Sequence, residues 1–245
     1  MPPADPVVVI GPDWSSAAPA LAATTQRSGG VSRDEFASLN LAAHVGDSPA
    51  AVAENRRRLL AATGLAGEPA WLNQLHGTDI VETNQWRGEP LSADAAIVRR
   101  GGRPAVVLTA DCLPILLLAD DGDVGAAVHA GWRGLAAGIV EAAIAGTGTE
   151  PVRLRAWVGP GIGQAAYEVG DDVRAAFGAA GAARFRPNAR GRWQADLAGL
   201  AADRLRAAGV ADIQISDVCT CRDAERFFSY RRDGRCGRMA TVLAL

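Results

Sequence analysis

The stretch PAVVLTADCLPILLLADDGDVGAAVHAGWRGL, from Pro104 to Leu135, decides the fold. Residues 104–108 and 115–119 are continuous apolar runs, which are typical of strands that are buried on both faces. Residues 124–128 predict the next strand, and residues 135–145 have the composition and apolar face of a helix. His129 is therefore expected at a strand-to-helix corner, where side chains often project into a functional site.

Further helices and strands are predicted on both sides of this centre. A helix is expected over 48–63, because Ser48 suits the N-cap, Pro49 suits the first position and Gly64 can end it. Other predicted strands are 70–75, 95–99, 153–158 and 213–218, and other predicted helices are 171–180 and 197–208. Because strands and helices are interleaved irregularly, the sequence predicts a mixed α/β (α+β) fold of mixed β-sheets covered by helices.

Size and charge restrict the domain organisation and the partners. The chain has 245 residues, of which 49% are hydrophobic, and single domains commonly reach about 250 residues. Without an internal repeat or linker, one domain over 1–245 is predicted. The formal net charge of -2 and the mixed distribution of charges indicate neither nucleic acid nor anionic lipid as a partner. A small neutral or mildly anionic substrate is expected.

The amino-terminal segment and the cysteines favour a cytoplasmic protein. Residues 1–14 lack a basic start, and their apolar run is too short for an export signal. The apolar stretch 105–119 is broken by Asp111 and Pro114 and is shorter than the about 20 residues of a membrane-spanning helix. The four cysteines, at 112, 219, 221 and 236, are therefore expected to be free thiols. The Cys219-x-Cys221 pair is too weak a signal to assign a role.

Two histidines and one cysteine are the strongest candidates for chemistry. Only His44, His76 and His129 are present, and Cys112 breaks an apolar run together with Asp111, whose carboxylate needs partners if it is buried. A His2Cys set suits zinc with an open fourth position, and its softness also admits copper. The wide spacing forms no compact motif, and a histidine beside a turn is often structural, so the residues alone leave this open.

Motifs spread over nearly the whole chain carry a family resemblance. They are NL at 40–41, HVGD at 44–47, QLHG at 74–77, ADCLP at 110–114, HAGWRG at 129–134, GP at 159–160, YEVG at 167–170, CT at 219–220, FFSYRR at 227–232 and GR at 237–238. In these motifs the chain resembles the laccase-domain family, also described as multicopper polyphenol oxidoreductases and as purine nucleoside phosphorylases. The resemblance implies zinc bound by His76, Cys112 and His129. Leu75 stands where Val is usual, and Cys221 and Cys236 lie outside the pattern.

The resemblance also implies an activity and a set of contacts. The activity is phosphorolysis of adenosine, inosine, guanosine or methylthioadenosine, accompanied by adenosine deamination. Besides the zinc ligands, Asp111 or Glu168 is a candidate proton-transferring carboxylate, although Asp111 could instead orient a metal ligand. The remaining candidates are Arg56, Arg133, Arg231 and Arg238 for phosphate, Phe228 and Tyr230 for stacking on the purine, and Asn40, His44 and Gln74 for ribose or base.

Three alternative functions remain open. A cysteine hydrolase or deamidase would use Cys112 as nucleophile and His129 as base, and the resemblance of the fold to toxin deamidases favours it. A polyphenol oxidase would need an imidazole-rich set of several coppers, which three histidines cannot supply. In a metal-stabilised interaction protein, the bound metal would only stabilise the fold. Monomer and homodimer are both compatible with the sequence.

Overall fold

Strands in four sheets, together with seven α-helices, form the fold in the part of the chain that the computed structural model describes, residues 6–14, 21–65 and 67–245. The strands are β1 Val9–Ile10, β2 Leu21–Thr25, β3 Leu72–Asn73, β4 Ile80–Glu82, β5 Leu91–Ser92, β6 Ala95–Arg99, β7 Ala105–Thr109, β8 Leu113–Ala119, β9 Val124–Ala130, β10 Leu154–Val158, β11 Glu168–Val169, β12 Phe185–Pro187, β13 Trp193–Ala195, β14 Asp212–Ile215 and β15 Met239–Ala244. The helices are α1 Pro49–Thr63, α2 Trp132–Ala137, α3 Ile139–Thr147, α4 Asp171–Ala176, α5 Gly178–Gly181, α6 Leu197–Ala207 and α7 Tyr230–Asp233. The first five residues, part of the segment inspected for an export signal, lie outside the described residues.

A six-stranded sheet, in the order β14-β10-β8-β9-β6-β4, forms the centre of the protein. Its strands β10, β8, β9 and β6 pair antiparallel, whereas β14 and β4 add parallel strands at the two edges. Every residue of β8 and β9 is buried, which confirms the prediction from the continuous apolar runs. Along β8 the side chains alternate: Ile115 and Leu117 pack on the side of α3 and α6, while Leu116 and Leu118 face the opposite layer.

The opposite layer is a four-stranded antiparallel sheet in the order β1-β2-β15-β7. Val107 on β7 and Leu243 on β15 pack against Leu116 and Ala127 of the six-stranded sheet. A three-stranded sheet, β11-β13-β12, and the two-stranded pair β3-β5 complete the set. The mixed α/β fold with several mixed sheets is therefore confirmed. None of the described helices is long and apolar enough to cross a membrane.

Several predicted boundaries are wrong for local reasons. The helix expected over 135–145 begins at Trp132 and is interrupted at Gly138, whose φ of +104° is left-handed and ends α2. The helix expected over 171–180 is similarly divided before Gly178, whose φ is +57°. His129 lies inside β9 and not at its corner, which comes only after Ala130.

Two predicted strands are shorter in the structure. The strand expected over 70–75 contains only Leu72–Asn73, because the side chain of Gln74 and not its backbone makes the next pairing, with Leu108. The strand expected over 213–218 ends at Ile215. In contrast, β6 and α1 have almost the predicted bounds.

Candidate active site

His76, Cys112 and His129 come together although they lie far apart in sequence. His76 follows β3 in a left-handed conformation with φ of +61°, Cys112 lies in the turn between β7 and β8, and His129 is on β9. Their donor atoms all lie within 4.8 Å of one another, and the Cys112 Sγ is 4.0 Å from the His76 Nε2. The two imidazole rings meet edge to face at 4.7 Å. Among the described residues, this is the one group of three or more potential ligands with that proximity.

Asp94, at the start of β6, fixes both histidines. Its carboxylate is 1% exposed, and its Oδ1 lies 2.8 Å from the Nδ1 of His129. The same carboxylate accepts hydrogen bonds from the backbone N–H groups of His76, at 2.9 Å, and of Gly77, at 2.7 Å. The hydrogen bond to Nδ1 leaves the Nε2 of His129 as the nitrogen that faces a ligand. One buried carboxylate thus orients an imidazole ring and the turn that carries the second imidazole.

Cys112 and His129 change each other's protonation. Burial disfavours the thiolate, but the neighbouring imidazoles of His129 and His76 outweigh burial and lower the pKa of Cys112 to about 6. Burial also opposes the charged form of His129, yet Cys112 and Asp94 raise the pKa of His129 to about 9. Without a metal ion, the pair is therefore a thiolate beside an imidazolium near neutral pH. A metal would replace the imidazolium proton and bind the thiolate that is already formed.

The three donors fit a zinc-like metal ion. Two imidazole nitrogens and one thiolate bind zinc at about 2.0–2.3 Å, which places tetrahedral ligands about 3.3–3.8 Å apart. Separations of up to 4.8 Å are close enough for small side-chain rotations to reach that spacing. Gly131 leaves the necessary room, because a Cβ there would lie 3.0 Å from the His76 Cδ2 and 3.1 Å from the Cys112 Sγ. The donor set is thus compatible with one metal ion and an additional ligand.

The glycine beside the donors provides a test. In Gly131→Ala, the added methyl group would push against His76 and Cys112, so we expect metal affinity to fall about tenfold to a hundredfold. Competition with a chromogenic chelator measures this affinity directly. Gly67→Ala is the matched control, because a Cβ at Gly67 meets no atom of the described residues within 4 Å. Equal affinity in Gly131→Ala and wild type would contradict the tight fit.

Asp111 and Glu168, the candidate proton-transferring carboxylates, are differently placed. Asp111 has a left-handed φ of +90°, and its carboxylate accepts hydrogen bonds from the Thr220 hydroxyl, at 2.7 Å, and the Arg231 backbone N–H, at 2.6 Å. Asp111 lines the cleft, but these contacts indicate that it holds the turn before Cys112 in place. Glu168 does not line the cleft, and its carboxylate accepts a hydrogen bond from Asn188 at 2.8 Å.

A cleft of about 410 Å³ opens beside the His-Cys-His group. Of the predicted substrate contacts, those that line it are His44, Gln74, Arg133, Tyr230, Arg231 and Arg238. The guanidinium of Arg133 stacks on Trp132 at 4.4 Å, and Arg231 lies 5.3 Å from the ring of Tyr167 while donating to the Glu168 carbonyl. Within the described residues, Arg133, Arg231 and Arg238 form no ion pair with a carboxylate. The cleft therefore contains three guanidinium groups against the one carboxylate of Asp111.

Gln74 lines the cleft, but its amide has a structural partner. Its Nε2 donates to the Leu108 carbonyl at 2.8 Å, and its Oε1 accepts from the Leu108 N–H at 2.7 Å. Leu108 is on β7, an edge strand of its sheet, so the amide completes that edge as a neighbouring strand would. Gln74 thereby ties the segment that carries His76 to β7.

Asn40 is not among the residues that line the cleft, so its assignment as a substrate contact stays a prediction. It is fully buried, and its Nδ2 donates to the Ala42 carbonyl at 3.1 Å and the Asp47 carboxylate at 2.9 Å. Its Oδ1 accepts from the backbone N–H groups of Ala42 and Arg238, each at 3.0 Å. With these contacts its hydrogen-bonding groups are used inside the protein, so its role in the structure is to hold the loop around it.

Arg56 and Phe228 also lie away from the cleft. The guanidinium of Arg56 donates twice to the Leu41 carbonyl and stacks on Trp71 at 3.7 Å. The ring of Phe228 is fully buried in a cluster with Phe227 and Met239. Neither side chain is among those that line the cleft, so phosphate contact by Arg56 and purine stacking by Phe228 stay predictions that these contacts do not favour.

The two aromatic candidates are expected to respond differently to truncation. Phe228→Ala should lower the free energy of unfolding by about 3–5 kcal/mol, because it removes a buried ring. Tyr230 is 61% exposed at the cleft, so Tyr230→Ala should change stability by about 0.5 kcal/mol or less while raising the KM for a stacked substrate. Denaturant unfolding and steady-state kinetics measure the two effects. A stable Phe228→Ala variant would contradict its position in the core.

The residues that sequence reasoning missed are Asp94, Tyr167 and Thr109. Asp94 directly precedes an apolar strand, and the argument that a buried carboxylate needs partners, applied above to Asp111, would have found it. Tyr167 lines the cleft and is 9% exposed, and burial raises the pKa of its phenol, so it is neutral. Thr109 carries no sequence signal beyond its place at the end of an apolar run.

Comparisons with known proteins point to one family. The model of the family described as multi-copper polyphenol oxidoreductase laccase matches residues 21–245. A Pseudomonas aeruginosa protein named purine nucleoside phosphorylase is 48% identical over 240 residues, which cover 96% of this chain and 98% of that protein. YfiH of Escherichia coli strain K12, named likewise, is 44% identical over 243 residues, covering 97% and 98%.

Solved structures share the fold. The crystal structure of a Neisseria meningitidis protein matches with a TM-score of 0.90 at 41% identity, over 98% of this chain and 99% of that chain. The crystal structure of YlmD from Geobacillus stearothermophilus matches with a TM-score of 0.84 at 32% identity, over 91% of each chain. The arrangement of sheets and helices around the cleft is therefore one that experimental structures contain.

Proposed function

Because the chain belongs to the family described as multi-copper polyphenol oxidoreductase laccase, whose curated relatives include proteins named purine nucleoside phosphorylase, we propose that it is a zinc-dependent purine nucleoside phosphorylase. Its proposed substrates are phosphate and adenosine, inosine, guanosine or methylthioadenosine. The observation that carries the proposal is the cleft, in which three arginines, whose guanidinium groups form no ion pair with a carboxylate of the described residues, lie beside the His-Cys-His group. We further propose that residues 1–245 act as one domain.

The arginines supply what phosphorolysis requires of the protein. In this reaction a phosphate oxygen forms a bond to C1′ of the ribose while the bond from C1′ to the purine nitrogen breaks, and the purine leaves with that electron pair and takes up a proton. Arg133, Arg231 and Arg238 have the charge and the fork geometry to hold the phosphate anion in the cleft. Holding both reactants in one cleft supplies orientation, which is a major part of catalysis in such displacements.

The metal centre and the exposed ring complete the proposed site. His76, Cys112 and His129 would hold the zinc, which, when bound, supplies a Lewis acid that stabilises negative charge on a substrate atom. Tyr230 would cover the base, since its ring is exposed at the cleft. Asp94 would keep both histidines oriented toward the metal.

Deamination of adenosine is the second proposed activity of the same site. It would use the zinc to activate water, as zinc-dependent deaminases do. Asp111 is the carboxylate of the cleft, but its two hydrogen bonds to Thr220 and Arg231 favour a positioning role. We therefore propose phosphorolysis as the main reaction.

A product analysis tests the proposed function. Purified protein is incubated with adenosine, with and without phosphate, and adenine, inosine and hypoxanthine are separated. Phosphate-dependent adenine supports phosphorolysis, and inosine formed without phosphate supports deamination. The absence of any product under both conditions would overturn the assignment to purine nucleosides.

A cysteine hydrolase that uses Cys112 and His129 is the second candidate, because the pair forms a thiolate and an imidazolium as such enzymes require. The resemblance of the fold to toxin deamidases, which the sequence predicts, would support this candidate. Metal analysis distinguishes the hydrolase from the phosphorylase. Enzymatic activity that persists in fully metal-free protein would favour the hydrolase. The proposed phosphorylase must instead lose its activity with the metal.

The lowered pKa of Cys112 predicts a pH profile for the metal-free protein. A depressed pKa keeps the thiolate present as the pH falls, until about pH 6. Alkylation of Cys112 by iodoacetamide should therefore rise with a midpoint near pH 6, well below the about 8.5 of an unperturbed thiol. Mass spectrometry of the labelled peptide measures the rate. In His129→Gln the midpoint should move upward, and an unchanged profile would contradict the coupling.

A further inference from the structure

Thr109, the last residue of β7, has a buried hydroxyl without a hydrogen-bond partner in the part of the chain that the structure describes. The residue is 1% exposed, and its Oγ1 forms no hydrogen bond with any of the described residues. Buried hydroxyl groups are nearly always hydrogen-bonded, because an unpaired one loses its contacts with water and gains none. The pair Thr24 and Thr241, which lies in the same sheet, shows the usual situation, with the two hydroxyl oxygens 2.6 Å apart.

The hydroxyl lies on the side of β7 that faces the active site. Side chains alternate along a strand, so Thr109 shares its side with Val107, which packs in the layer between the two large sheets. On β9, His129 shares its side with Ala127, which belongs to the same layer. Thr109 and His129 both line the cleft. Thr109 is therefore a buried residue in the wall of the cleft.

The burial of the cleft residues separates the group expected to bind the nucleoside from those expected to bind phosphate. The other unpaired buried groups of the described residues belong to Trp14, Trp86, Glu141 and Gln194, and none of these lines the cleft. Arg133 and Arg231 are exposed, so the charge that suits phosphate lies toward the outside. Thr109, by contrast, is buried, and its neutral hydroxyl can both donate and accept a hydrogen bond, which suits the uncharged polar atoms of a nucleoside.

We propose that Thr109 is a substrate-binding residue whose Oγ1 hydrogen-bonds a polar atom of the bound nucleoside. The proposal rests on the proposed function, because it assigns a nucleoside to this cleft. No described group of the protein pairs with this hydroxyl, and the substrate supplies a partner. Substrates that present no polar atom at this point are bound less well, so Thr109 contributes to specificity.

The isosteric variant Thr109→Val tests the proposal with adenosine and phosphate as substrates. It removes the hydroxyl and keeps the shape, so we expect kcat/KM for adenosine to fall about tenfold. The KM for phosphate should stay within about twofold, because the arginines are untouched. The melting temperature should remain equal or rise, since no internal hydrogen bond is lost. Thr109→Ser, which retains a hydroxyl, should keep most of the activity.

Thr241→Val is the matched control, because it removes a buried hydroxyl of the same strand layer that does have a partner. It should lower the melting temperature and leave kcat/KM for adenosine unchanged, the reverse of Thr109→Val. Wild-type kinetics in Thr109→Val would overturn the role of Thr109 alone, while the phosphorylase assignment stands. A destabilised Thr109→Val would also overturn it, since that reveals an internal partner. Wild-type protein that neither binds nor cleaves adenosine would overturn both proposals.

Discussion

Cys112→Ser is expected to weaken metal binding about a thousandfold and to abolish the activity that depends on it. Metal binding by a zinc site of this kind contributes about 10–16 kcal/mol, so loss of one of three protein ligands costs about 4 kcal/mol, or three orders of magnitude. A serine hydroxyl is not ionised near neutral pH, whereas the neighbouring imidazoles hold the pKa of Cys112 at about 6. The serine hydroxyl therefore cannot replace the thiolate as a metal ligand.

Elemental analysis of the purified variant, together with chelator competition, measures this loss. Cys219→Ser is the matched control, because Cys219 is also partly buried but accepts a hydrogen bond from the Gly163 N–H, at 3.1 Å, outside the donor group. It should bind metal as the wild type does. A Cys112→Ser variant that retains one ion per chain would show that the site does not depend on the thiolate.

Asp94→Asn is expected to produce the second largest effect, on stability and metal affinity together. The amide has one acceptor oxygen, so it cannot serve His129 and the N–H groups of His76 and Gly77 at once, and its NH2 group would face some of these donors. Loss of a charge at a buried pair lowers the free energy of unfolding by about 3 kcal/mol. Misorientation of the histidines should lower metal affinity about tenfold to a hundredfold.

Chemical denaturation and chelator competition test the two effects separately. Asp121→Asn is the control, since its carboxylate pairs with Arg153 on the exposed surface. Burial opposes ionisation of Asp94, but its hydrogen bonds to His129 and Gly77 lower its pKa. Its stabilising contribution is therefore present above about pH 4 and is lost as more acidic solution protonates it. Unchanged metal affinity in Asp94→Asn would refute the positioning role.

The sequence predicts the centre of the fold well and the details of the site less well. The buried strands β8 and β9 follow directly from uninterrupted apolar runs, and β6 has its predicted bounds. His76, Cys112 and His129 are confirmed as neighbours, although their residue types alone left the site open and the family resemblance selected the set. Whether they bind zinc stays a prediction.

What the sequence could not provide depends on contacts between distant segments. Asp94 meets its partners only after β6 and β9 pair, and Gln74 finds Leu108 across 34 positions of sequence. Asn40 and Phe228 lie in motifs of the family, yet in the structure Asn40 stabilises a loop and Phe228 packs in the core. A motif identifies a constrained position, and only the three-dimensional structure distinguishes contact with a ligand from internal support.

The turn that carries Cys112 has a consequence for how the protein acquires its site. It joins β7, in the four-stranded sheet, to β8, in the six-stranded sheet, and His129 lies on the six-stranded side. Pairing of β8 with β9 already brings Cys112 beside His129. His76 joins them only when its turn is held both by Asp94, next to β6, and by the hydrogen bonds of Gln74 to Leu108 on β7. Metal binding then holds the docked sheets together. Recovery of metal affinity during refolding would consequently report the placement of the His76 turn against both sheets.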